Sequence, residues 1–267
     1  MSTQCSKKVI WVISSGEATY SPFPNTSTMA TAGILYLIPN ILADGTAANV
    51  MASTVADTIR PIRYFAVEEI RSARRLLRGV VRDFPIDDST FYTLTKNSKP
   101  EELKPMLKAL RDGHDLAVIS EAGCPGIADP GALLVAAAHQ ARFRVAPITG
   151  PSSFVLALMA SGLNGQSFTF SGYLPINETE RVAAIKKLED ESRKLSRTQL
   201  FMDTPYRNIS LWQTMLKVLN PDTMLCVAAG LTGPDEYIST RLVRDWQQVD
   251  PPKINKIPAV FLLLATV

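Results

Sequence analysis

The sequence predicts an α/β protein in two parts, a parallel doubly wound sheet followed by a mixed-sheet α/β unit. Three observations predict it. Between residues 33 and 150, short apolar runs alternate with amphipathic helical stretches, the pattern of parallel strands joined by right-handed crossovers. Beyond residue 150 strand-like runs continue while helices become scarce, which fits a mixed sheet. The chain of 267 residues, 46% hydrophobic and 20% charged, has a globular composition and can bury a substantial core.

The elements follow in order. Residues 1–32 combine VIWVISS with the Ser-, Thr- and Pro-rich SPFPNTSTMATAG. They read as an N-terminal extension of uncertain order, with Met29 a candidate internal start. Residues 33–150 form the first predicted domain, with strands at ILYLI, RYFAV, TFYTL, DLAVI and RVAPI. Helices are expected at EEIRSARRLLRGV, PEELKPMLKALRDG and DPGALLVAAAHQA. Residues 151–267 form the second, entered through a bridging helix from Pro151, with strands at SFTFSGYL, TQLFMDT, TMLCVAAG, EYISTRLV and AVFLLLAT. One of its helices starts at Asn177, where Asn177 and Glu180 make a capping-box-like pair. Another starts at Thr204-Pro205, an N-cap followed by proline.

Composition narrows the function classes. A net charge of +3 does not by itself argue for nucleic acid, so a basic surface has to be found locally. Cys5, Cys124 and Cys226 are odd in number and far apart, without a CxxC, and the two histidines are His114 and His139. This argues against a disulfide framework or a zinc site and for a reducing cytoplasm, with no metal. VIWVISS lacks a typical cleavage site and AVFLLLATV is half a membrane span, so a soluble protein without membrane contact is expected.

The chemistry is expected in loops. A dinucleotide site needs a Gly-rich turn after the first strand, but here that strand runs into PNILADGTAANV, and the chain has no GxxxxGK[ST]. The unusual loops follow the fourth and fifth strands, at the carboxyl edge where open parallel sheets bind ligands. In SEAGCPGIADPG, Gly123 and Gly126 clear space for a ligand and Pro125 stiffens the turn, while Asp129-Pro130 reads mainly as a helix start. In TGPSS, Ser152 and Ser153 lie in a helical first turn whose free N–H groups suit a carboxylate.

AVISEAGCPGIADPG, VAPITGPSSFVLALMASGL and FSGYLP, from about Gly33 onward, resemble the tetrapyrrole-methylase superfamily of S-adenosylmethionine-dependent methyltransferases. VEEIRSARRLL and LFMDTPYR are similar to motifs of its branch that 2′-O-methylates a cytidine ribose of small-subunit ribosomal RNA. The resemblance implies two α/β domains with S-adenosylmethionine folded into the cleft between them, in a homodimer. By position it implies Ala122, Gly123, Cys124 and Ile127 as cofactor contacts, with Ser152 and Ser153 as polar ones. Met202, Asp203 and Gly230 would close from the second domain, and Pro39 would stand in the first-strand loop. The first loop LIPNILADGT, Glu121 in place of aspartate, and Ala228-Ala229-Gly230 in place of an acidic ARE depart from the branch. The branch also continues into a helical tail, whereas this sequence runs to Val267.

Methyl transfer from a sulfonium is an in-line displacement, and alignment alone contributes roughly 7–11 kcal/mol. A hydroxyl acceptor needs a base. Glu68, Glu69, Glu121 and Asp129 are candidates, each equally readable as a cap or a surface charge. Arg71, Arg74, Arg78 and Arg82 recur at helical steps beside Arg75, as a phosphate-binding stripe or a solvated face. Tyr206 and Arg207 read as base-stacking residues or as helix caps. His139 reads as structural, and Cys124 has no neighbouring histidine to activate it. Two alternatives stay open: a porphyrinoid-precursor methyltransferase, and a non-catalytic S-adenosylmethionine-binding module.

Overall fold

The computed structural model describes residues 32–265. The expected extension up to Thr31, with Cys5 and Met29, lies outside the described residues.

The first half begins with β1 (Leu35–Ile38) and two short helices, α1 (Ala47–Val50) and α2 (Thr54–Ile59). β2 (Tyr64–Val67), α3 (Ile70–Val80), β3 (Thr90–Thr93) and α4 (Pro100–Arg111) follow. β4 (Leu116–Ile119), α5 (Gly131–Gln140) and β5 (Val145–Pro147) complete it. The five strands are parallel, in the order β3-β2-β4-β1-β5. Helices cover both faces, which is why the central strands are apolar on both sides. Phe65, Val67, Ala117 and Ile119 pack under α2 and α3, whereas Leu35, Ala66, Leu116 and Val118 pack under α4 and α5. α3 turns Ala73, Leu76 and Leu77 inward and leaves its arginines exposed. Its start is fixed by Glu69, whose carboxylate accepts the N–H groups of Arg71 (2.9 Å) and Ser72 (2.6 Å).

The second half comprises α6 (Ser153–Ser161), β6 (Phe168–Tyr173), α7 (Glu178–Leu195) and β7 (Thr198–Met202). A 3₁₀ turn (Pro205–Arg207) then leads into α8 (Asn208–Val218), β8 (Met224–Ala229), β9 (Tyr237–Leu242), α9 (Val243–Trp246) and β10 (Ala259–Leu264). The sheet runs β6-β7-β10-β8-β9, mixed as expected: β6 and β7 are parallel and the other pairs antiparallel. Alternation sends Leu200, Cys226, Ala228, Val260 and Leu262 toward α6. Phe201, Leu225, Val227, Phe261 and Leu263 face α7 and α8. α7 starts where expected, with Asn177 Oδ1 accepting the Glu180 N–H at 3.2 Å.

Three short helices have no counterpart in the sequence reading: α1, α2 and α9. Four to six residues are too few for a 3.6-residue period to show; α2 and α9 are ordered by packing, with Val55 and Ile59 of α2 and Val243 and Trp246 of α9 buried. The helix expected from Asp129-Pro130 starts at Gly131, with Asp129 just outside it.

Candidate functional site

A cavity of about 630 Å³ opens at the carboxyl ends of the parallel strands and is closed by the second half of the chain. Its volume lies in the range of small-molecule sites.

The first wall is the loop from Ser120 to Pro130, held from both sides. Asn40, just after β1 and only 4% exposed, donates from Nδ2 to the carbonyls of Ser120 (2.8 Å) and Glu121 (3.0 Å). Its backbone also pairs with Gly123 in an isolated antiparallel bridge. At the far end, Asp129 Oδ1 accepts the N–H groups of Gly126 (2.5 Å) and Gly131 (2.7 Å). Between these anchors Gly123 (φ +71°) and Gly126 (φ +82°) take the left-handed conformation that glycine permits without strain.

The second loop enters α6. Ser152 is its N-cap and makes no side-chain capping bond, so the first-turn N–H groups are left for a ligand. Cys124 Sγ lies 3.4 Å from the Pro151 carbonyl oxygen, joining the two loops, and burial pushes its thiol pKa upward.

The opposite wall comes from the mixed sheet. Met202 and Asp203 end β7, and Gly230 follows β8 with φ +59°. A side chain at Gly230 would meet the Asp235 carbonyl oxygen at 2.8 Å. Asp203 is 3% exposed. Its Oδ1 accepts from the Thr204 N–H at 2.7 Å and from Arg207 Nε at 2.8 Å, with a further bond from Arg207 Nη2. Its Oδ2 is buried without a partner within the protein. An unpaired buried carboxylate oxygen beside a cavity is costly unless a ligand serves it.

Electrostatics concentrate at the rim below β2 and β4. Burial raises the Glu68 pKa from 4.5 to about 7, assisted by the charge of Asp129, a hydrogen bond with it, and the charge of Glu121. Burial and then the Glu69 charge raise Glu121, whereas the two backbone N–H bonds lower Glu69.

Of the residues expected at the cofactor, Ala122, Gly123, Cys124, Ile127, Ser152 and Ser153 line the cavity from one side, and Met202, Asp203 and Gly230 from the other. Pro39 does not: it is buried behind the wall against Gly150, where a Cβ would stand 2.2 Å from Pro39 Cβ. Leu42 and Ala43 of the same first loop reach the cavity instead. Glu68, Glu121 and Asp129 are also on its lining, while Glu69 faces solvent as a helix cap. Arg71, Arg74 and Arg78 are exposed on α3 outside the cavity, Arg74 lying 5.2 Å over the Phe91 ring. Tyr206 is exposed beside the cavity residue Pro205, and Arg207 is committed to Asp203. Sequence reasoning missed Asn40, Leu42 and Lys256. Only Asn40, polar and separated from an apolar strand by Pro39 alone, offered a signal.

Comparison with known proteins matches this architecture. The family model described as Tetrapyrrole (Corrin/Porphyrin) Methylases aligns with residues 51–245. The chain belongs to that family. The tetrapyrrole methylases are methyltransferases, and relatives carry that activity in their names. The Ribosomal RNA small subunit methyltransferase I of Vibrio cholerae serotype O1 is 32% identical over 207 residues, covering 78% of this chain and 68% of that protein. Its namesake in Micromonospora olivasterospora is 31% identical, covering 78% and 62%. The chain thus spans about two thirds of the length of these relatives. Diphthine synthase shares the fold at TM-score 0.61 and 14% identity, covering 87% of this chain and 90% of that one. The methyltransferase CobJ does so at TM-score 0.59 and 16% identity, covering 88% and 94%.

Among the described residues no helix is long and apolar enough to cross a membrane, and no group of three His, Cys, Asp or Glu is placed to hold a metal.

Proposed function

We propose that this tetrapyrrole methylase uses S-adenosylmethionine to methylate a ribose 2′-hydroxyl of small-subunit ribosomal RNA. The observation that carries the cofactor assignment is the cavity itself, lined on one wall by a backbone seat and on the other by Asp203, whose buried Oδ2 has no partner within the protein. The donor set fits the molecule. The α6 N-terminus with Ser152 and Ser153 suits its carboxylate. Ala122, Gly123 and Ile127 offer a close, largely apolar surface to its flat ring. Asp203 Oδ2 suits a hydroxyl or ammonium group. When bound, the cofactor supplies an activated methyl carbon, and the chain's task is to hold donor and acceptor in line and shut out water.

The acceptor assignment draws on the names of the relatives and on α3. Arg71, Arg78 and Arg82 are exposed and have no carboxylate within 4.0 Å among the described residues, which favours phosphate binding over internal pairing. The helix starts at its cap Glu69, the residue after the cavity-lining Glu68. A ribosomal acceptor would place the enzyme in the cytoplasm. The exposed Val155 and Met159 of α6 and Phe168 of β6 favour a homodimer, with the domain boundary near residue 150.

The deciding experiment follows labelled methyl transfer to small-subunit RNA from a strain lacking this protein. We expect transfer, with RNA affinity falling steeply as salt rises, and a shallower salt slope in an Arg71→Ala/Arg78→Ala variant. Transfer to porphyrinoid precursors instead would replace the acceptor assignment. Cofactor binding without any transfer would leave a binding module.

A further inference from the structure

Tyr206 is 76% exposed although it sits on the 3₁₀ turn between two cavity-lining segments. Its place beside the cavity and the cation next to it, rather than its exposure alone, single it out. Three contacts tie its turn to the neighbouring loop. Lys256, a residue of the cavity lining, places its Nζ 5.8 Å from the Tyr206 ring centroid. Lys256 adopts φ +62°, a left-handed conformation strained for a side-chain-bearing residue. In that conformation its N–H donates to the Pro205 carbonyl at 3.1 Å. Asn208, fully buried, completes the link by donating from Nδ2 to the carbonyls of Ile257 (2.6 Å) and Ile254 (3.3 Å).

The turn bearing Tyr206 and the loop bearing Lys256 are therefore stitched into one unit. Backbone strain is retained where it keeps a lysine at an aromatic ring beside the cavity. A solvent-facing ring with a cation over one face suits an unstacked base on the other, because every base has a π-face and a neighbouring phosphate.

We propose that Tyr206, backed by Lys256, is the platform on which a nucleobase of single-stranded RNA stacks when the acceptor nucleotide enters the cavity. The proposal rests on the RNA reading above and adds the residue that grips the base. Phosphates are left to α3, and the two contacts differ in kind: the arginines respond to salt, whereas stacking on the ring does not.

Fluorescence anisotropy with a labelled single-stranded oligoribonucleotide tests it, alongside calorimetry with S-adenosylmethionine. Tyr206→Ala is expected to weaken oligonucleotide binding by about ten- to a hundredfold, with the salt slope and cofactor affinity unchanged. Tyr206→Phe and Tyr206→Trp are expected to retain binding, and the oligonucleotide to quench the emission of the indole introduced by Tyr206→Trp. Unchanged oligonucleotide affinity in Tyr206→Ala, against a wild type that binds, overturns the platform and leaves the RNA reading standing. Equal losses in the Ala, Phe and Trp variants also overturn it, since they would show that the ring's face is not what is read. Failure of the wild-type protein to bind RNA at any salt concentration overturns the RNA reading and the platform together.

Discussion

Two aspartates face the same cavity from opposite walls, and they are used in different ways. Asp129 turns inward on its own loop: one oxygen accepts the N–H groups of Gly126 and Gly131 and so fixes the curvature of the backbone. Asp203 is tied by one oxygen to Thr204 and Arg207 and keeps the other buried and unpartnered. The parallel sheet thus contributes a seat shaped by backbone, whereas the mixed sheet contributes unsatisfied charge. A backbone seat gives shape and close approach but little discrimination between charged groups. An unpaired carboxylate oxygen gives discrimination, and its cost in the free protein is repaid when a ligand donates to it. Perturbing the first wall should therefore disturb stability and binding together, and perturbing the second should separate them.

The largest effect is expected from Gly131→Ala. A Cβ there would lie 2.7 Å from Asp129 Oδ1 and 3.1 Å from both the Gly126 nitrogen and Val118 Cγ1. Neither the helix start nor β4 can yield readily, so the carboxylate must leave its two donors. We expect a loss of about 1–3 kcal/mol in urea unfolding, typical of overpacking, together with weakened S-adenosylmethionine binding. An unfolding midpoint equal to wild type would show that the seat does not depend on this contact.

Asp203→Asn comes next and probes the other wall. The amide keeps the shape and an acceptor for Thr204 but removes the charge. Arg207 is partly exposed, with 27% of its side chain accessible, and can turn to solvent. The expected stability change is about 1 kcal/mol or less. Cofactor affinity should fall about tenfold, the scale of one charge-assisted hydrogen bond. If stability fell as far as in Gly131→Ala while calorimetry showed unchanged affinity, the division of labour between the walls would be wrong.

The same contrast explains what could be read from the sequence. β2 and β4 are legible because strands buried on both faces are continuously apolar, and the seat because glycine and proline mark the turn where it lies. The Glu69 and Asn177 caps are local and equally visible. Illegible are the contacts that join distant positions. Asn40 reaches Ser120 across 80 residues, and a polar residue after an apolar strand hints at a role without naming that partner. Pro39 invites assignment to the cavity, yet the space it fills is the one Gly150 leaves open. Lys256 has an ordinary sequence context, and its left-handed backbone is known only from the fold. Residue type locates a turn, but which side of a wall a residue faces is set by tertiary packing.

The smallest expected effect concerns the acid pair at the rim of the first wall and is a matter of pH. Glu68 has its pKa raised from 4.5 to about 7, chiefly by burial and then by Asp129. Between these values the native protein holds a proton that the unfolded chain has released. The stabilisation from that proton is complete below about 4.5 and is lost as pH rises to about 7. Glu68→Gln removes the titration while keeping a group that can donate to Asp129. Partial solvent exposure screens the interaction and keeps the difference small. Relative to wild type, the variant should gain thermal stability steadily between about pH 5 and pH 7.5 and stay level above that. A constant offset across this range would mean that burial at the rim does not hold a proton on Glu68, and the first wall would supply shape alone.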